Sequence, residues 1–264
     1  MSSPERRAHL LILGGTGEAA ALAAAALARY GDQLLVTSSL AGTTRAPTPL
    51  PGCVRVGGFG GAAGLADYLT AAAVEMVIDA THPFAARISA HAQQACVALG
   101  VPRLVLRRPE WTRHPGDRWI EVESAAAAAA RLPALGQRAW LTIGARELDA
   151  FAELSGIHFL IRTIDPPAHP PPLASYEIIA GRGPFTLASE RHILERHAID
   201  VLVARASGGA ATEAKLVAAR ELGLPVLMLR RPPAPCGPSV TSVEDALAWL
   251  AGELARARTG RKSR

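Results

Sequence analysis

Cysteine is scarce in this chain: Cys53, Cys96 and Cys236 are the only three among 264 residues, and they stand far apart. Neither a disulfide framework nor a paired-cysteine metal knuckle can be drawn from that spacing, so three reduced, mostly buried thiols and no metal site are expected. Lysine is scarcer still, with Lys215 and Lys262 alone among 28 basic side chains. Aromatic residues make up 5% of the chain and do not alternate with the basic ones, so no base-stacking surface for single-stranded nucleic acid is visible. No apolar run approaches the roughly 20 residues of a membrane span. The opening MSSPERRAH has no apolar stretch of the kind that drives export. The expectation is a cytoplasmic, monomeric protein with neither membrane nor nucleic acid as partner.

What is present is a globular balance, 49% apolar and 19% charged, with a net charge of +5 and a pI near 9.6. Part of the excess lies in the terminal RARTGRKSR, read as a frayed end. The rest is arginine, which suits phosphates and carboxylates on an acidic small molecule. The length allows two domains of about 100 to 150 residues.

Short apolar runs alternate with alanine-rich helical stretches, the pattern of βα units on a mostly parallel sheet. LLILGG (10–15) is apolar at successive positions, as in a strand covered on both faces. The strand signal recurs at QLLVTSS, CVRVGGF, EMVIDAT and RLVLRRP, giving five strands before residue 110. A polar stretch with Trp111, Pro115 and Gly116 follows, then a short IEV strand and six alanines, read as a plain helix. A second series begins at RAWLTIG (138–144), with helix ARELDAFAELSG, strand HFLIRTI and the loop DPPAHPPP (165–172). Strands YEIIAG, DVLVARA and PVLMLRRP and three further helices complete it. The fold class is α/β with two Rossmann-like doubly wound domains, expected at 1–125, binding the cofactor, and 126–264, contributing to a substrate site.

Strand LLILGG runs directly into GGTGEAA and a helix, the context a dinucleotide fingerprint requires. Gly15, Gly17 and Ala20 fit its spacing, and Gly14, Gly15, Thr16, Gly17 and Glu18 form the turn whose amides and helix dipole would hold phosphates. The other reading is a structural turn. At the end of the second strand, where NAD-specific folds carry a carboxylate, this chain has Thr37, Ser38 and Ser39, with Arg45 beyond. Hydroxyls plus an arginine suit a ribose 2′-phosphate, so NADPH is the expected cofactor; the alternative is that Arg45 is a solvated loop charge.

EMVIDATHPFA places Asp79, Thr81, His82, Pro83 and Phe84 at the carboxyl end of the fourth strand, where open α/β sheets bind ligands. Asp79 or Thr81 is also placed to cap the following helix. His82 is the candidate catalytic residue, positioning nicotinamide or substrate or donating a proton, and Thr81, Pro83 and Phe84 are candidate cofactor contacts. GRGPF (181–185) and ASGG (206–209) lie at strand ends in the second half. There Gly208 and Gly209, with Ser207, Arg205 and Lys215 around them, form a candidate carboxylate-binding cluster built on exposed glycine amides, and Gly183, Pro184 and Phe185 are further candidate substrate contacts; the other readings are an ordinary turn at GPF and a solvated helix residue at Lys215. Glu190, Arg191 and Glu195 read as a solvated helix face. Neither lysine follows a tyrosine by four positions, and GK[ST] and GxSxG are both missing; short-chain dehydrogenase, P-loop and serine hydrolase readings have no support.

Together, GGTGEA, DATHPFA, the step Arg108-Pro109 with Trp111, GRGPF, and SGG followed by Lys215 resemble the precorrin-6A reductases over nearly the whole chain. The resemblance implies two Rossmann-like domains with the site between them. It also implies reduction by NADPH of one carbon-carbon double bond of precorrin-6A to precorrin-6B, on the way to cobalamin. The cobalt-bearing substrate of the parallel branch, or a non-catalytic NADPH-binding protein, are the alternatives. Two positions differ from the family pattern: the arginine after the second strand is displaced to Arg45, and Arg205-Ala206 stands where a lysine and a polar residue are usual.

Overall fold

The computed structural model describes residues 6–42 and 49–262. The chain forms two compact units, one from the chain up to Arg108 together with Pro232 onward, the other Pro109–Arg231.

In the first unit the order is β1 (Ala8–Leu13), α1 (Gly17–Tyr30), β2 (Leu34–Leu40), β3 (Cys53–Val56), α2 (Gly61–Ala71), β4 (Met76–Asp79), α3 (Ala86–Leu99) and β5 (Arg103–Leu106). The second unit holds β6 (Arg118–Val122), α4 (Ala125–Arg131), β7 (Arg138–Thr142), β8 (His158–Thr163), β9 (Tyr176–Ala180), α5 (Leu187–Arg196), β10 (Val201–Arg205), α6 (Ala214–Glu221) and β11 (Pro225–Leu229). The chain then returns to the first unit with β12 (Ser239–Val240) and α7 (Val243–Lys262).

Both sheets are parallel, with strand orders β12-β5-β4-β1-β2-β3 and β6-β11-β10-β7-β8-β9. Each follows the doubly wound pattern, the order reversing beside β1 in the first sheet and beside β7 in the second. The sixth place in each sheet is filled from outside the unit's main run: β12 arrives after the whole second unit, and β6 precedes every other strand of its own sheet. The expected division after residue 125 is therefore corrected. Residues 109–125 belong to the second unit because β6 pairs with β11, from Arg118 beside Pro225 to Val122 beside Leu229. The C-terminal segment belongs to the first because Ser239 and Val240 pair with Val105 and Leu106.

The successive apolar residues of β1 are all buried, as expected of a strand with helices on both faces. Leu10 and Ile12 face α1 and α7 in a cluster with Leu22, Ala26, Leu247 and Leu250; Leu11 and Leu13 face α2 and α3 with Leu65, Leu69 and Ala92. In the second unit Trp140, Leu160, Leu202 and Met228 pack with Leu194 of α5 and Leu216 of α6. The six-alanine run is helical, capped by Ser124, whose hydroxyl accepts from the Ala127 amide at 3.2 Å.

Three local expectations change. ARELDAFAELSG is not an α-helix: residues 145–151 form a 3₁₀ helix, whose start is tightened by the Glu147 carboxylate accepting from the Gly144 amide at 2.6 Å. Glu190 is not solvated. It is fully buried and takes two hydrogen bonds from Arg162, at 2.6 and 3.1 Å, whereas Arg191 and Glu195 are exposed as expected. The thiols are not mostly buried either, since Cys53 lies on the exposed edge strand β3 and Cys236 in an exposed loop, and Cys96 alone is buried.

Burial pushes the Cys96 thiol up to about 11. A thiol-specific disulfide reagent at pH 7.5 is therefore expected to react with two of the three thiols in the folded protein and with the third only after denaturation. Leu250 of α7 is completely buried, so Leu250→Ala is expected to cost about 2–5 kcal/mol in urea denaturation.

Candidate active site

The turn after β1 is shaped by three glycines with different duties. A side chain on Gly14 would press on the Ala19 Cβ at 3.4 Å and the Ser39 carbonyl at 3.6 Å, so Gly14 and Ala19 make the close approach of strand and helix. Ala20, the third position of the fingerprint spacing, is only half-buried. Gly15 has φ +102°, and no atom lies within 4 Å of where a Cβ would stand on either Gly15 or Gly17. The turn is packed on its inner side and open on its outer side, where the first amides of α1 emerge.

Thr16 caps α1, its hydroxyl accepting from the Ala19 amide at 3.1 Å, and the same hydroxyl donates to the Ala80 carbonyl at 2.8 Å. One side chain thereby ties the β1 turn to the end of β4. These are the strands flanking the point where the sheet order reverses, the place where this fold class binds ligands. Glu18 forms an ion pair with Arg108 at 3.0 Å, which offsets a negative charge that would otherwise oppose an anion at the turn.

At the end of β4, Asp79 is almost wholly buried. Its Oδ1 accepts from the Thr81 amide at 3.2 Å and the Thr81 hydroxyl at 2.7 Å, and its Oδ2 faces the buried Arg103 guanidinium at 3.8 Å. Neither Asp79 nor Thr81 caps α3: the helix begins beyond them at Ala86, with Ala85 at its cap and no side-chain hydrogen bond there. Asp79 instead fixes the loop, and Thr81 passes the constraint to Ser89 of α3 at 3.2 Å. His82 Nδ1 accepts from the Phe84 amide at 3.2 Å, which places the proton of the neutral imidazole on Nε2. The two rings lie 5.8 Å apart. Beside His82 and Pro83, a cavity of about 210 Å³ extends toward Val105, Arg107 and the prolines 232, 233 and 235.

The strand that was to read the ribose runs further than expected. β2 reaches Leu40, so Thr37, Ser38 and Ser39 are interior to it and buried. Thr37 bonds His9 at 2.8 Å, and Ser39 contributes its carbonyl to the Gly14 amide at 2.9 Å. Arg45 lies outside the described residues.

In the second unit the glycine loops are more internally committed than expected. Gly208 is not an exposed amide: it is buried at φ +67°, and a Cβ there would stand 2.0 Å from the Pro109 carbonyl oxygen. The Ser207 carbonyl accepts from Arg231 at 2.8 Å, and the Gly209 carbonyl from the Trp111 indole at 2.9 Å. Lys215 is buried, donating to the Thr212 carbonyl at 2.9 Å and lying 5.5 Å from the Trp111 ring. Arg205 pairs with Glu147 at 3.3 Å, and burial pushes its guanidinium below its ordinary value. Gly183 and Pro184 are exposed, whereas Phe185 stacks on the Arg162 guanidinium 3.7 Å from its ring centre. Arg162, which the sequence reading missed, thus supports the GRGPF loop from below.

The model of the Precorrin-6x reductase CbiJ/CobK family matches residues 9–251. The chain belongs to this family. A precorrin-6A reductase of Rhodococcus erythropolis is 52% identical over 251 residues, 94% of this chain and 99% of that protein. The solved structure titled CobK precorrin-6A reductase superposes with a TM-score of 0.86 at 44% identity, covering 93% of this chain and 97% of that one. A cobalt-precorrin-6A reductase of Priestia megaterium is 27% identical over 207 residues, 72% of this chain and 78% of that protein.

The Gly208 contact sets a sharp test of the second-unit loop. Gly208→Ala must accept a left-handed φ and displace Pro109, so a loss of at least about 2 kcal/mol is expected. It is measured by urea denaturation followed through tryptophan emission.

Proposed function

We propose that this precorrin-6x reductase is an NADPH-dependent precorrin-6A reductase. It would reduce one carbon-carbon double bond of the metal-free macrocycle to give precorrin-6B in cobalamin biosynthesis. The observation that carries this reading is the Thr16 hydroxyl bridging the amide-rich turn to the Ala80 carbonyl, because it sets a phosphate cradle directly beside the loop that carries His82.

The residues present fit a dinucleotide. The outer face of the turn is open at Gly15 and Gly17, and the 14-residue α1 directs its dipole there. NADPH supplies the hydride when bound. Gly15, Thr16, Gly17 and Glu18 hold its pyrophosphate through backbone amides, Gly14 shapes the turn with its own amide given to the Ser39 carbonyl, and Thr81, His82, Pro83 and Phe84 form the wall on the β4 side. The preference for a 2′-phosphate rests on what β2 lacks. Its end, Leu40 followed by Ala41 and Gly42, carries no carboxylate that would repel the group. Arg45 is its proposed partner, and Ser38 and Ser39 shape the strand beneath.

His82 lies on the loop beside the cradle and lines the adjoining cavity, and its imidazole is the group proposed to meet the substrate as charge develops on the reduced ring. An extended conjugated macrocycle delocalises that charge, so His82 serves mainly to position and to relay a proton. Gly183, Pro184 and Phe185, with Arg205 and Gly209, are proposed to meet the ring's acidic periphery, Arg205 acting through charge, while the buried Ser207, Gly208 and Lys215 hold the loop that presents them. The metal-free substrate is favoured over the cobalt-bearing one by the 52% identity to a precorrin-6A reductase against 27% to a cobalt-precorrin-6A reductase.

Anaerobic incubation with NADPH and each form of precorrin-6A, following cofactor and ring absorbance together, tests the reading. Oxidation of NADPH matched by bleaching of the metal-free ring is expected. Binding of NADPH with no change in either ring would instead mark a non-catalytic binder. Gly17→Ala separates cofactor binding from folding. The added methyl meets no protein atom and favours the helix, so the melting temperature should hold or rise while the NADPH Kd increases at least about tenfold, as expected when a phosphate contact is blocked.

A further inference from the structure

We propose that the cavity beside His82 is a carboxylate subsite in which Arg107 and Gln93 receive one acetate or propionate arm of the tetrapyrrole. This rests on the function proposed above.

The cavity of about 210 Å³ lies wholly within the first unit. A propionate arm occupies roughly the space of three waters, near 90 Å³ at about 30 Å³ each, so the cavity admits the arm with its residual hydration. Its titratable lining residues are Asp79, His82 and Arg107. Asp79 is already committed to Thr81 on one oxygen and faces Arg103 on the other. Arg103 in turn donates to the Cys236 carbonyl at 2.5 Å. The charge of Asp79 is thus matched from behind the wall, leaving Arg107 as the cation of the cavity.

Arg107 is held by its backbone, whose amide donates to the Val240 carbonyl at 2.9 Å, while its guanidinium makes no hydrogen bond or ion pair among the described residues. Gln93 lies one helical turn beyond Ser89 on the same face of α3, and its amide is likewise without a partner among the described residues. A half-buried guanidinium and a carboxamide converging on one cavity supply donors in a number that suits a carboxylate. Three prolines in the lining, Pro232, Pro233 and Pro235, contribute no amide donors and little freedom to collapse inward. A phosphate of the cofactor would satisfy the same donors. The carboxylate is favoured because α3, which lines the cavity, packs on the opposite sheet face from α1, whose amides form the phosphate turn.

The test uses the full-length protein, with NADPH affinity from calorimetry and precorrin-6A kinetics from anaerobic initial rates. Arg107→Gln is expected to raise KM for precorrin-6A by about 10- to 100-fold, the loss typical of a charged hydrogen bond. The expected kcat stays within about threefold, the NADPH Kd is unchanged, and Arg107→Lys recovers part of the loss. Gln93→Leu should raise KM several-fold in the same pattern. An unaltered KM in both variants overturns the assignment, and so does a weakened NADPH Kd with KM unchanged, which would give the cavity to the cofactor. Wild-type protein that leaves precorrin-6A unreduced would remove the functional reading and the subsite with it; wild-type turnover beside an unaffected Arg107→Gln removes the subsite alone.

Discussion

Two backbone hydrogen bonds complete the first unit: Val105 donates to the Pro238 carbonyl at 3.0 Å and Arg107 to the Val240 carbonyl at 2.9 Å. Through them β12 occupies the open edge of β5, and α7 is delivered onto the face where Leu10 and Ile12 are waiting to be covered. A parallel sheet has no stable solution with one face bare. The pairing of two residues therefore carries consequences well beyond its own hydrogen bonds: the core around α7, the wall of prolines leading into β12, and the position of Arg107 all follow from it.

The site is assembled by the same economy of means. Thr16 serves as a helix cap and as a bridge to β4. Asp79 orders its own loop through Thr81 while matching a buried arginine. In the second unit Arg162 satisfies Glu190 and at once supports Trp140 and Phe185 on its guanidinium faces. Breaking such a buried pair by removing one partner leaves an uncompensated charge and typically costs about 3–5 kcal/mol. These side chains hold loops in place, and the loops carry the groups proposed to meet cofactor and substrate.

How much of this could be read from residues alone followed the range of each interaction. The glycine turn and its helix were legible because their causes are adjacent in sequence: an apolar strand, three glycines, a threonine cap and an alanine-rich helix. So were the other strands, whose apolar runs are long enough to declare themselves. β12 was not, because Ser239 and Val240 have no periodicity of their own and become a strand only by pairing with β5. The domain boundary was misplaced for the same reason. Glu190 looked solvated because its partner lies 28 residues earlier. The need for glycine at position 208 is set by a carbonyl at Pro109, and Ser38 and Ser39 were assigned to a strand tip that lies one residue further on. Arg107 could have been flagged as a cation at the end of an apolar strand, but only the cavity beside it indicates what that charge is for.

The late arrival of β12 also orders the birth of the molecule. The second unit is one continuous stretch, Pro109–Arg231, and can close its core as soon as that stretch has left the ribosome. The first unit is made first and finished last. At roughly 5–20 residues per second, the nascent chain must carry an unpaired β5 edge and an uncovered sheet face while everything up to α7 is translated. Exposed edges of this kind recruit stray strands. Protein yield in the cell should accordingly depend on what shelters the unfinished amino-terminal half during synthesis.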